Sequence, residues 1–358
     1  MENWNLKMKK INLLQYFNSK LSYCLLVLII LSINTSSWSA NVTYKSLNEE
    51  IEKLYIISNT DIYAINPLIR KFQELNPNTT IEYSEYQSNE LFEISGNGCL
   101  NNEFYADLVI SSAMAHQFKL ANDGCGSKLN SVNLKYILGE LPNWAKWSDE
   151  LVGLTFEPAA TVINEEIFNG PHPKTHIDIN NWIIENPNRV SRIGTYNLEE
   201  SGVGKLFDFE DIRKSKSSLR LKLALEIADA QYFCCTSKII DLVADGHLDL
   251  GYNVLGSYAL FRADLDERLK VIFLEDFTPV ITRTAYIPNN AKNHILAERF
   301  INFTLSSHGE EILNNNNKLL SSLTGQDYLN ELHDRKMNFL KPIELSPELL
   351  IVLERSYN

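Results

Sequence analysis

Residues 54–86 read LYIISNTDIYAINPLIRKFQELNPNTTIEYSEY, and the fold turns on how this stretch is read. Residues 54–58 (LYIIS) form an unbroken β-rich apolar run, the composition of a strand buried on both faces. After it, Ile62, Ile65, Leu68, Ile69, Phe72 and Leu75 recur at helical spacing. Pro67 fits two arrangements: the first residue of a helix capped by Asn66, or a kink in a helix that begins at Asp61. Residues 79–86 (TTIEYSEY) return as a strand. Strand, helix and strand in succession predict a βαβ unit with parallel strands.

The alternation continues along the chain. Residues 106–112 (ADLVISS) predict a strand that feeds a helix at 113–122, stopped by Gly124. A second set follows: strand 151–164, a helix about 177–185, strand 190–195, and helices from Ser201 and from Ser217. Then come helix 237–245, strand 248–253, a helix from Gly256, and strand 269–274. Residues 279–288 (PVITRTAYIP) read as one long strand bounded by prolines, and the chain beyond is helical at 291–305, 327–338 and 347–354. Two such sets predict an α/β protein of two lobes, with the strands at 154–164 and 278–288 crossing between them. The first lobe is then residues 41–153 plus 277–358, and the second is residues 154–276.

Residues 1–40 stand apart. Lys7, Lys9, Lys10 and Lys20 precede a short apolar run at 24–31, and Ser37, Ser39 and Ala40 are small residues at its exit. This is the layout of a cleavable secretory signal peptide, cut after Ser39 or Ala40. The run is about half of the ~20 residues a bilayer span needs. Met8 would start a more ordinary signal than Met1. Of 358 residues, 33 are basic and 45 acidic, a net charge of −12; removing the leader's four Lys and one Glu takes it to −15. So acidic a surface repels phosphate backbones, and no nucleic acid is expected as partner. Export leads to an oxidising space, where Cys99, Cys125, Cys234 and Cys235 can pair. Four cysteines allow three connectivities; Cys99–Cys125 is the preferred bridge, and the spacing fits no zinc site.

One pattern recurs at strand ends: an apolar strand, then Ser, Thr or Gly, then a helix. It occurs at Ser58, Asn59, Thr60 and Asp61; at Ser111 and Ser112; at Thr195 followed by Ser201, Gly202, Val203 and Gly204; and at Asn253 followed by Gly256 and Ser257. In open parallel sheets ligands bind beyond the carboxyl ends of the strands. There, unpaired helix N–H groups and hydroxyls favour an anion. Any one of these is an ordinary helix cap; four of them, divided between two lobes, point to an anion held in a cleft. Thr155 and Glu157 open the first crossing, where they reach the cleft or brace a hinge. Arg283, on the second, is an anion's counter-charge or half of a structural ion pair. Tyr252, Tyr258 and Tyr286 read as core or rim aromatics, and His172 and His176 as surface residues. The frame of a phosphate loop and a nucleophile–base set are both missing, so neither catalysis nor a cofactor is expected.

With those residues in place a resemblance is visible. In order, YIISNTD, NPLIRKFQELNP, ADLVISSAM, KLANDG, LTFEPAATVIN, ESGVG, CCTS, GYNVLGSYALFRA and TRTAYIPNNA resemble periplasmic substrate-binding proteins of ABC transporters. The group is that of the ferric-iron binders, which also holds the phosphoglycerate transport regulatory protein. The resemblance runs from Leu54 to KPIELSPELL near the C-terminus. It implies the type II periplasmic-binding-protein fold, two α/β lobes joined by two crossing strands and closing on a ligand. The family's ligand loops fall on Ser58 to Asp61, on Ser111 and Ser112, on Thr155, Phe156 and Glu157, on Ser201 to Gly204, and on Asn253 to Ser257. One departure is informative. The family's ferric-iron binders carry an adjacent tyrosine pair just after an Asn, whereas here Asn253 is followed by Val254, Leu255, Gly256 and Ser257. No Tyr-Tyr pair occurs in the chain, which argues against iron.

The expectation is therefore a monomeric periplasmic protein, without cofactor or metal, that captures a small anion and delivers it to an inner-membrane ABC permease. A phosphorylated metabolite or organic acid is the expected ligand. The rival readings are a ligand sensor for a periplasmic histidine-kinase domain, and a ferric-iron-binding protein of an iron(III) ABC transporter. An enzyme on the same fold is the third.

Overall fold

The computed structural model describes residues 40–227, 229–316 and 318–354. The expected signal peptide thus lies, apart from Ala40, outside the described residues. From Ala40 the chain lays down β1 (Ala40–Tyr44), β2 (Glu52–Ser58), α1 (Ile62–Leu75), β3 (Thr79–Glu85), α2 (Ser88–Asn101), β4 (Leu108–Ser111) and α3 (Met114–Asn122). α4 (Val132–Glu140), β5 (Lys146–Trp147) and β6 (Leu151–Gly153) follow. These strands, with one from later in the chain, build a sheet in which β2 lies parallel between β3 and β4. The βαβ unit of residues 54–86 is its centre. Of the two arrangements open at Pro67, the structure has the longer helix, with Pro67 in its second turn and Asp61 at its N-cap. Its apolar stripe, Ile65, Leu68, Ile69 and Phe72, is buried, and Phe72 meets Phe300 with ring centroids 5.0 Å apart.

The second sheet begins at β7 (Glu157–Asn164) and continues through α5 (His176–Glu185), β8 (Ile193–Tyr196), α6 (Gly202–Lys214), α7 (Lys216–Ile227), β9 (Gln231–Phe233) and α8 (Thr236–Ala244). Then come β10 (Leu250–Leu255), α9 (Gly256–Ala263), β11 (Leu269–Ile272) and β12 (Thr278–Ile281). The chain returns to the first sheet as β13 (Thr284–Tyr286), antiparallel to β4 and β6. α10 (His294–Thr304), α11 (Ser307–Glu311) and α12 (Gly325–Leu332) follow, then β14 (Leu340–Pro342), parallel to β12, and α13 (Glu348–Glu354). The sheet orders are β1-β3-β2-β4-β13-β6-β5 and β14-β12-β7-β10-β8-β9, with β11 also on β7.

Both long strands expected from the sequence are cut in two. Residues 151–164 divide into β6 in one sheet and β7 in the other, and residues 279–288 into β12 and β13. A strand cannot keep its ladder in two sheets at once, so the pairing breaks where the chain changes sheet, at residues 154–156 and 282–283. There the two segments bond to each other instead: Leu154 N donates to the Arg283 carbonyl (2.7 Å), and Arg283 N to Thr155 Oγ1 (2.8 Å).

Cys99 is bonded to Cys125, 26 residues away, tying α2 to the segment after α3; Cys234 is bonded to Cys235. His176 is a correction to the sequence reading. It begins α5, is buried, and lies 2.9 Å from Asp276 through Nδ1.

Candidate ligand-binding site

A cavity of about 460 Å³ opens where strand ends of the two sheets face one another. Its lining follows the carboxyl ends of β2, β3 and β4 (Asn59, Asp61, Tyr63, Glu85, Tyr86, Ser112) and of β8, β9 and β10 (Tyr196, Ser201, Val203, Cys234, Cys235, Thr236, Ser237, Tyr258). Arg283 reaches it from the link between β12 and β13. This is where the topology of an α/β sheet leaves helix N-termini and loops free to meet a ligand.

Each lining group is held by local chemistry. Asn59 grips the start of the α3 loop with both ends of its amide: Nδ2 donates to Ser112 Oγ (3.0 Å) and Oδ1 accepts from Ser112 N (3.0 Å). Glu85 Oε2 accepts from Ile62 N (2.8 Å), capping α1 from outside the helix. Ser201 caps α6 by accepting from Gly204 N (3.1 Å). Bonds between elements of the two sheets flank the cavity. Asp61 N donates to Tyr258 Oη (3.1 Å), Gly202 N to Ser88 Oγ (3.0 Å), and Asn89 Nδ2 to the Glu199 carbonyl (2.9 Å). Tyr63 adds ring contacts to Tyr258 and Phe261, each at 5.9 Å. Gly202 allows a close approach: a Cβ there would stand 3.0 Å from Ala113 Cβ and from His116 Cε1, a tight contact.

Behind the cavity lies a buried ion pair. Arg283 and Glu157 are 1% and 0% exposed, and Arg283 Nε stands 2.8 Å from Glu157 Oε1. Arg283 Nη1 also donates to Thr60 Oγ1 (2.6 Å), while Thr155 Oγ1 (2.7 Å) and Ser257 Oγ (2.5 Å) donate to the Glu157 carboxylate. Burial works against the Arg283 charge, but Glu157 more than offsets it and the guanidinium stays above its ordinary pKa. Asp61 is pushed up by burial, only partly opposed by the Tyr63 and Ser237 hydroxyls and by Arg283. Burial likewise raises Glu85, against the bond from Ile62 N. The cavity therefore combines hydroxyls, helix ends, one neutralised guanidinium and two carboxyls that burial inclines toward the protonated form.

Of the residues singled out in the sequence, Asn59, Asp61, Ser112, Ser201, Val203, Tyr258 and Arg283 line the cavity. Ser58, Thr60, Ser111, Thr155, Glu157 and Ser257 are buried behind it, and their hydroxyl and carboxyl groups shape the loops. Ser58 Oγ accepts from Thr60 N (2.9 Å), and Ser111 Oγ from Ala113 N (3.1 Å). Gly202 and Gly204 lie in the first turn of α6, where a Cβ on Gly204 would run into Tyr196. A Cβ on Gly256 would come 2.7 Å from the Pro158 carbonyl, so glycine lets α9 start against β7. Thr195 and Asn253 open on a separate cavity of about 70 Å³. Asn253, at φ +57°, donates through Nδ2 to Asp211 (2.6 Å). The sequence reading did not name Tyr63, Glu85, Tyr86, Cys234, Cys235, Thr236 or Ser237 as site residues. For the last four a signal existed: the cysteine pair and Thr-Ser follow a short strand and open a helix, the same strand-to-helix pattern.

No family model and no curated protein matches the sequence. Solved structures do. The substrate-binding protein of an ABC transporter from Agrobacterium tumefaciens is 26% identical, over 90% of this chain and 97% of that one, with a TM-score of 0.83. AfuA from Actinobacillus pleuropneumoniae, a periplasmic binding protein solved with fructose 6-phosphate, is 16% identical over 85% and 96% with a TM-score of 0.66. Iron-bound HitA from Pseudomonas aeruginosa is 15% identical over 86% and 99%, at 0.62. The chain has the type II periplasmic-binding-protein fold, as the resemblance implied. Its structural neighbours are substrate-binding proteins of ABC transporters, in the ferric-binding-like group.

Proposed function

We propose that this chain is a periplasmic solute-binding protein that captures a small anion, a phosphorylated metabolite or organic acid, and presents it to an ABC permease. The observation that carries this reading is the cavity itself: helix starts α1, α3, α6 and α8, drawn from both sheets, converge on one space lined with Ser, Thr and Tyr hydroxyls. In this reading the segments 154–156 and 282–283 are the hinge between two lobes. A ligand touching loops of both lobes stabilises the closed form by its differential affinity. Asp61 and Glu85 suit the hydroxyl hydrogens of such a solute. The leader-like residues 1–40 and the periplasmic neighbours support export. The test is a thermal-shift screen of the mature chain against phosphate esters, carboxylates and ferric citrate, since a ligand that binds only the folded state raises its melting point. A phosphate ester or carboxylate is expected to give the largest shift.

One observation favours a second reading. Tyr63, Tyr258, Asp61 and Glu85 offer oxygen donors of the kind a ferric ion takes, and iron-bound HitA shares the fold. Among the described residues no group of three or more His, Cys, Asp or Glu side chains is placed to hold a metal ion. Visible tyrosinate-to-iron absorption after ferric citrate loading would favour iron over the anion.

A further inference from the structure

The two disulfides do different work. Cys99–Cys125 bridges a sequence separation of 26 and restricts the unfolded chain, whereas Cys234–Cys235 joins neighbours and closes no loop worth comparable chain entropy. Stability of the fold is thus a poor account of the second bridge. Its position supplies another: both cysteines are half-buried and line the ligand cavity. The pair also ends the strand-to-helix loop. Cys235 occupies the N-cap of α8, where Ser, Thr, Asp or Asn would turn a side chain onto the helix's first-turn N–H groups. Cys235 makes no such capping bond among the described residues.

Resting on the reading just given, we propose that the Cys234–Cys235 disulfide is a ligand-contact element of the cavity. It is a fixed apolar wall for the carbon skeleton of a phosphorylated or carboxylated solute, set at a helix start whose N–H groups it does not occupy. Sulfur is soft, polarisable and weakly hydrated, so it packs against C–H groups rather than competing for hydroxyls. The bridge locks both side chains before the ligand arrives, which removes the rotamer entropy that two free side chains would lose on binding. Across the cavity Asn59, Asp61 and Glu85 present the polar face. A solute with one anionic group, hydroxyls on one side and C–H groups on the other matches that division.

The test uses protein exported to an oxidising compartment. Non-reducing peptide mapping is expected to find residues 234–235 blocked to alkylation; free thiols there overturn the proposal. Wild type, Cys234→Ala/Cys235→Ala and Cys234→Ala/Cys235→Ser are then titrated calorimetrically with fructose 6-phosphate, 3-phosphoglycerate and malate. The double-alanine variant is expected to bind at least tenfold more weakly whichever of these the wild type binds, with its ligand-free melting temperature within about 2 °C of wild type. The serine variant regains a hydroxyl that caps α8, so it is expected to bind weakly too while melting above the double-alanine variant. Unchanged affinity in both variants overturns the proposal and leaves the proposed function standing. A loss of affinity matched by a large fall in melting temperature marks the bridge as structural and also overturns it. No binding of any probe by the wild type overturns both readings.

Discussion

Arg283 is inside the protein, and its charge persists there because Glu157 faces it with both oxygens, while Thr60 accepts from Arg283 and Thr155 and Ser257 donate to the Glu157 carboxylate. Removing one partner of such a pair leaves the other charge buried and unpaired. Glu157→Gln is therefore expected to cost about 3–5 kcal/mol, read from urea denaturation of the ligand-free protein; a loss below ~1 kcal/mol would show that the pair is not holding the sheets' links together. The sequence marked both residues as belonging to the two crossings but left their roles open. Their meeting depends on segments 126 positions apart, which no local pattern encodes. Asp61 makes the opposite prediction. Its folded pKa is raised, so the ionised form costs stability as pH rises through that value. Asp61→Asn is expected to raise the ligand-free melting temperature at pH 7.5 and to weaken solute binding. A lowered melting temperature would contradict the burial argument.

At the scale of elements, the start of α6 is held against α3 by Gly202, with His116 beneath it. The His116 ring stacks on Phe92 at 4.5 Å, and burial, helped by nearby Lys205, lowers its pKa to about 4. A histidine whose folded value lies below its unfolded one near 6.5 keeps its full contribution above that pH and loses it as pH falls toward 4. The loss amounts to about 3 kcal/mol. Urea midpoints measured between pH 7.5 and pH 4 should fall accordingly, and His116→Gln should flatten that part of the profile; an unaltered slope would place the acid sensitivity elsewhere. Most helices and buried strands were legible because their apolar periods are strong, as in α1 and β2. α2 was not: Ser95, Gly96, Gly98 and Asn101 weaken its helical signal, but a Cβ at Gly98 would collide with the Tyr105 ring, so packing dictates that glycine within a helix. The crossings read as continuous strands because apolar runs do not record which sheet supplies their partners.

For the whole molecule, the sequence order pointed to strand ends, where the cavity lies, but could not rank the hydroxyls there. Ser58, Ser111 and Ser112 look alike in sequence, yet only Ser112 lines the cavity, because the other two fold back onto their own loops. The contacts of Tyr63 with Tyr258 and Phe261 span elements of both sheets. Tyr63→Ala is expected to favour the open form, seen as a larger radius of gyration in solution scattering, which added ligand reverses. A scattering curve identical to wild type, with and without ligand, would count against closure at this contact. Above all, the proposed function requires capture of a small anion in the cavity between the sheets. The most direct measurement is calorimetric titration of residues 40–358 with fructose 6-phosphate, 3-phosphoglycerate and malate, beside Ser112→Ala. One site per chain is expected for at least one of them, with at least tenfold weaker binding by the variant; no heat with any of the three, while ferric citrate saturates the protein, would overturn the anion reading.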